Sequence, residues 1–161
     1  QLRKDLTYFG QFGTRGLGYD VEQLIEMITE LLGTSHFQPV ILVGVGNLGR
    51  ALLSYRGFQK EGFRIVAAFD VRDVAVSDKR ITQPVLLMEK MPDTVREHMI
   101  RMAVLCVPPE EAQEVANDLV ECGVTGIMNF APTVLQVPDD VTVNNVNLAI
   151  ELENLSYFVQ Q

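Results

Sequence analysis

The stretch ILVGVGNLGRALLSY, residues 41–55, constrains the fold of this chain more than any other. An apolar run breaks into three glycines and resumes as a helical pattern. Gly44, Gly46 and Gly49 satisfy G-x-G-x-x-G between a strand and a helix. The first glycine permits the tight turn, the second lets the backbone approach a diphosphate, and the third lets helix and strand pack closely. The helix N-terminus then offers free N–H groups and a partial positive charge to an anion. Asp70 closes the next apolar run about 20 residues on, where an acceptor for a ribose hydroxyl belongs. The pattern predicts a dinucleotide held by Gly44, Val45, Gly46, Asn47, Leu48, Gly49 and Asp70. A carboxylate repels a 2′-phosphate, so Asp70 favours NAD over NADP, and Arg72 reads as a solvated arginine.

Short apolar runs alternate with helical patterns along the rest of the chain. Strands are expected at 39–44, 64–70, 102–108, 126–132 and 140–146, with a helix over 109–123. Continuous apolar strands of this kind are buried on both faces. The fold class is therefore α/β: a Rossmann-like, doubly wound, mostly parallel sheet with helices on both faces. Between residues 72 and 100 the pattern does not separate strand, loop and helix. Upstream, residues 4–20 read as a helix end followed by a glycine-punctuated hairpin or loop. A helix is expected from Asp20 to Leu32, with Asp20 as N-cap, Gln23 at the capping-box position and Gly33 as the stop. At the other end, Leu148, Leu152, Leu155 and Val159 stripe one face of a final helix, which must be buried against something. Its own sheet and a second chain both satisfy that requirement.

Composition excludes several classes. Among 161 residues, 47% are hydrophobic and 21% charged, a globular balance for a single domain. No apolar run reaches bilayer length and no signal peptide is visible. Cys106 and Cys122 are too few for a disulfide scaffold and lack metal-ligand spacing, so a reducing, cytoplasmic setting without a metal is expected. The chain opens on a glutamine, as a piece of a longer product would. Residues 1–19 carry a net charge of +2, leaving −10 for the remainder of the total of −8. An acidic body repels nucleic acid, whereas a basic tip can approach it.

A dehydrogenase also needs a group that exchanges the substrate proton. Neither His36 nor His98 falls at the carboxyl end of an expected strand. Tyr55, about two turns into the glycine-turn helix, is within reach of the crevice but has no lysine four residues on. Only about 30 residues follow NFAP (129–132), too few for a substrate domain. No catalytic residue and no small-molecule substrate are expected. The CVP and NFAP strand ends should line the dinucleotide through Cys106, Val107, Pro108, Asn129, Phe130, Ala131 and Pro132, with Cys106 read as a small buried hydrophobe.

Several segments together resemble the Rex family of redox-sensing transcriptional repressors. They are LRKDLTYFGQFGTRGLGY (2–19), GVGNLGRALLSYRGF (44–58), AAFDV (67–71), NFAP and NVNLA (145–149). The resemblance implies a homodimer that binds operator DNA through an N-terminal winged helix and senses NAD(H) through a Rossmann-like domain. On this reading residues 1–19 are a remnant of the winged helix. Arg3 and Lys4 then belong to its DNA-reading helix and Arg15 to its wing. Residues 20–147 form the NAD(H) domain, and residues 148–161 a dimerisation helix that crosses to the partner. NADH would turn the DNA-binding heads away from operator spacing and release repression. Tyr55 matches a tyrosine near the nicotinamide, and with Leu148 it would line a dry pocket. Where the family commonly has an aspartate facing that tyrosine across the dimer, this chain has Asn147. Two other classes stay open: a small NAD-dependent oxidoreductase, and a CoA- or nucleotide-binding accessory domain.

Overall fold

The computed structural model describes residues 20–31 and 37–160. The expected hairpin or loop, Arg3, Lys4, Arg15, Gly33 and His36 lie outside the described residues. The chain divides between Phe37 and Gln38 into two compact units. In the first, helix α1 (Val21–Leu31) begins where expected. Asp20 caps it, its Oδ1 accepting from the Glu22 N–H at 2.9 Å and its carbonyl from the Leu24 N–H at 2.9 Å.

The second unit is built around β1 (Gln38–Val43), whose last four residues are buried. It pairs in parallel with β2 (Phe63–Asp70) on one side and β4 (Met102–Leu105) on the other. β3 (Val85–Leu87), β5 (Gly126–Asn129) and β6 (Thr142–Asn145) complete a six-stranded sheet of order β3-β2-β1-β4-β5-β6. Every pairing is parallel. The order reverses between β1 and β4, which opens a crevice at the carboxyl ends of the strands.

Alternation along β1 divides the core in two. Ile41 and Val43 face one side with Phe69, Leu105 and Leu119, while Val40 and Leu42 face the other with Leu53, Ile65 and Val104. Helices α4 (Met91–Glu97) and α5 (Pro109–Glu121) supply the first side through Val95, Ala112, Ala116 and Leu119. Helix α2 (Asn47–Ser54) supplies the second through Leu52 and Leu53, and the short α3 (Gly57–Lys60) adds Phe58. The stretch 72–100 resolves into an extended loop, β3, a 3₁₀ turn over Met88–Lys90, and α4. Strands β4 and β5 end at Leu105 and Asn129, earlier than the apolar runs suggest, and Cys106–Pro108 and Phe130 then line the crevice.

Helix α6 (Leu148–Val159) has the bounds its periodicity predicts, yet none of its residues is buried. Leu148, Leu152, Leu155 and Val159 are 58–75% exposed, so the first of the two alternatives, docking on its own sheet, is not what the chain does. On the sheet itself, an apolar recess of about 410 Å³ lies open along β4 and β5, walled by Phe58, Phe63, Met102, Val104 and Met128. Among the described residues, no helix is long and apolar enough to cross a membrane. No cluster of three or more His, Cys, Asp or Glu suited to a metal ion occurs among them.

Candidate dinucleotide site

The crevice over the switch point has a volume of about 290 Å³. Its floor is the glycine turn. Gly44 has φ of 101°, a left-handed conformation, and a Cβ there would stand 2.5 Å from the Cys106 carbonyl oxygen. Neither demand can be met by a side chain. Gly49 packs against the Gly44 carbonyl, bringing helix and strand together. Around Gly46 there is nothing within 4 Å of where a Cβ would sit, so the backbone there is open to a ligand. Gly46 is the N-cap of α2 and makes no side-chain cap, which leaves the first N–H groups of the helix facing the crevice.

Asp70 ends β2 and is only 7% exposed. Its Oδ2 accepts from the Val45 N–H at 2.9 Å and its Oδ1 from the Arg72 N–H at 3.0 Å. Those two bonds fix the carboxylate against the glycine turn. Each oxygen keeps one free lone-pair direction, enough for a ribose diol. Arg72 Nε stands 3.9 Å from Oδ1 with its side chain largely in water. This combination suits a dinucleotide: a bare helix terminus for the diphosphate, an open glycine for close approach, and a fixed carboxylate for the ribose.

Of the residues that the sequence marks for the dinucleotide, Gly44, Gly46, Leu48, Asp70, Cys106, Val107, Pro108 and Phe130 line one crevice. Cys106 is half-buried, and burial pushes its thiol up to about 12. It therefore stays protonated at neutral pH and serves as an apolar wall, not a nucleophile.

Other expected residues fall elsewhere. Val45 is buried beneath the turn, where its N–H holds Asp70. Asn47 is the first residue of α2, with no side-chain contact to the crevice among its lining groups. Asn129 is fully buried. Its Nδ2 donates to the carbonyls of Ala131 (3.2 Å) and Thr133 (3.1 Å) and to Asn145 Oδ1 (3.0 Å), and its Oδ1 accepts from the Ala131 N–H (3.0 Å). Such a residue shapes the Phe130–Pro132 bend and ties β5 to β6. Ala131 and Pro132 belong to that bend without lining the crevice.

Tyr55 is not inside α2. The helix ends at Ser54, and Tyr55 takes an extended backbone (φ −75°, ψ 124°) as its C-cap. Its ring meets Phe58 edge-on at 5.1 Å, over the space a side chain at Gly57 would need. The eight residues of α2 put it about 12 Å from the diphosphate end. Asn147 caps α6, its Oδ1 accepting from the N–H groups of Ala149 (3.0 Å) and Ile150 (3.2 Å). Within one chain, Tyr55, Asn147 and Leu148 do not line the crevice.

Sequence reasoning missed Val43, Val71, Met88, Glu111 and Val115, which line the crevice; Arg72, read as a solvated arginine, is largely in water at its rim. Glu111 carried a usable signal, since it stands three residues past Pro108 in the first turn of the helix that leaves β4. Met88 carried none.

Residues 37–133 match the model of the CoA binding domain family. Over the whole chain, the redox-sensing transcriptional repressor Rex of Carboxydothermus hydrogenoformans is 46% identical, and the match covers 77% of that protein. Crystal structures of the Rex-family repressor RSP are similar in both sequence and shape. RSP in complex with β-NADH superposes with a TM-score of 0.71 at 35% identity, covering 98% of this chain and 73% of RSP. RSP in complex with β-NAD+ and operator DNA gives 0.70 at 38%, covering 99% and 73%. The glycine turn, the fixed acid at the β2 tip and these relatives agree: the chain belongs to the Rex family of redox-sensing transcriptional repressors.

Proposed function

We propose that this chain is the NAD(H)-sensing and dimerisation portion of a transcriptional repressor, and that NADH binding releases operator DNA. The observation that carries the reading is the pairing of an uncapped α2 N-terminus with a fixed Asp70 in one crevice. The RSP complexes with NADH, and with NAD+ and operator DNA, support it. On this reading residues 1–19 are a remnant of the DNA-binding domain, Arg3 and Lys4 belonging to its DNA-reading helix and Arg15 to its wing. Residues 20–147 hold the coenzyme and residues 148–161 bind the partner subunit. The protein works as a regulator in the cytoplasm and turns over no substrate.

The bare face of α6 and the open recess along β4 and β5 support a homodimer. Each large apolar side chain that is fully covered contributes about 1.5–3 kcal/mol, ample for a stable pair. We assign Tyr55 and Leu148 to a dry nicotinamide pocket completed by the second chain. The nicotinamide ring is cationic in NAD+ and neutral in NADH. Water exclusion costs the cation about 3–4 kcal/mol, and each ~1.4 kcal/mol is a tenfold preference. Asn147 spends its only side-chain oxygen on the α6 cap, so no carboxylate there offsets the positive ring. The preference for NADH should reach two or three powers of ten.

Fluorescence titration with NADH and NAD+, run beside sedimentation of the same sample, tests the reading. A dimer that binds NADH far more tightly supports it, and equal affinities contradict it. A second reading is favoured by the match to the CoA binding domain model. Displacement of NADH by equimolar CoA would promote that reading. Asp70 opposes it, because a carboxylate repels the 3′-phosphate that CoA carries on its ribose.

A further inference from the structure

Among the described residues lining the crevice, three carry charge: Asp70, Arg72 and Glu111. Asp70 has the ribose, and Arg72 follows it on the β2 lip. Glu111 stands on the opposite lip, in the first turn of α5, and has no assigned work. A carboxylate facing the binding site of a dianionic diphosphate raises the cost of binding unless it meets a hydrogen-bond donor on the ligand. Its neighbour Glu110 serves the helix dipole equally well from outside the crevice, so helix stability does not explain why an acid lines the site.

Position identifies the donor. The acid that takes the adenosine ribose lies at the β2 tip, and Val71, Arg72 and Met88 continue the wall on the β2–β3 side. The base attached to that ribose therefore occupies the gap between this wall and the start of α5. Val71 and Met88 offer apolar contact to its faces, and the exposed Arg72 guanidinium can lie over the ring as a cation on a π-system. What adenine presents at its edge is a 6-amino group, a hydrogen-bond donor. We infer that Glu111 reads this 6-amino group and makes the site selective for adenine over 6-oxopurines. The inference rests on the NAD(H) reading above.

The test compares NADH with reduced nicotinamide hypoxanthine dinucleotide, in which a carbonyl oxygen replaces the amino group. The whole chain should bind NADH about tenfold or more tightly, since the analogue sets an acceptor against the carboxylate. Glu111→Gln carries both an acceptor and a donor and should bring the two affinities within about threefold, whereas Glu110→Gln should leave the gap intact. Glu111→Ala, at an exposed position, should also close the gap. Equal affinity in the unaltered protein overturns the inference, as does a gap that Glu111→Gln and Glu111→Ala leave unchanged. So does an equal loss for both dinucleotides, which would mark Glu111 as a general clamp. Failure of the unaltered protein to bind NADH at all would instead strike the coenzyme reading itself, and this inference with it.

Discussion

The glycine turn and the last helix are opposites. At the turn, a single chain settles everything: Gly44 has no room for a Cβ, Asp70 is tied to Val45, and the helix N-terminus stands ready. Along α6, twelve residues keep their periodicity and bury nothing. The first region is preformed and the second is waiting. On the function proposed above, a sensor built this way would hold its coenzyme within one protomer and leave the discrimination between redox states to a pocket that two protomers complete.

Substitution at the turn has the largest expected effect. Gly44→Val would force a left-handed backbone on a β-branched residue and drive its Cβ into the Cys106 carbonyl. A loss of at least about 3 kcal/mol in urea unfolding is expected, together with loss of NADH binding. A fully stable variant would mean that the turn is looser than its geometry implies. Leu152→Asp combined with Leu155→Asp attacks the other region. Sedimentation equilibrium should show dimer affinity falling about a hundredfold or more, with the crevice and the monomer melt little changed, because neither leucine is buried in its own chain. A matching fall in monomer stability would contradict the open helix.

Smaller effects sharpen the picture. Asp70→Asn keeps the size but sets an amide NH2 against one of the two backbone N–H groups that hold the carboxylate, and gives up one of the two acceptors that face the ribose. NADH affinity should drop about tenfold, and the discrimination against NADPH should narrow as the repelling charge disappears. Unchanged selectivity would remove Asp70 from the ribose. Met99 closes α4 at φ 50°, a left-handed conformation that glycine adopts without penalty. Replacing it with glycine should change stability by no more than about 1 kcal/mol, in the stabilising direction, by thermal melt.

Much of this was legible in the chain itself, for a physical reason. Buried parallel strands are apolar runs, and the glycine spacing reports backbone demands that are local, so β1, α2, β2 and the Asp70 position followed directly. Asp20 and the bounds of α6 were equally local. β3 was not: Val85–Leu87 is three residues long and becomes a strand only by pairing with Ala68–Asp70. Tyr55 was placed too deep in a helix because its apolar neighbours continue the stripe, whereas the backbone turns at Tyr55 and Arg56 to start a second short helix at Gly57. Asn129 read as a ligand group because its type fits the chemistry. Its partner Asn145 is brought to it by the β5–β6 pairing, which no local pattern announces, and the bend after β5 turns the Thr133 carbonyl back onto it. Met88 reaches the crevice from an element that meets the glycine turn only in the folded sheet.

The most direct measurement is the ratio of NADH to NAD+ affinity in the intact dimer and in the Leu152→Asp, Leu155→Asp variant. The account predicts a preference of about a hundredfold or more in the dimer. In the separated chains it should fall to within about threefold, with NADH still bound at the glycine turn. A monomeric variant that kept the full preference would show that one chain discriminates by itself and would contradict the division of labour between the two regions.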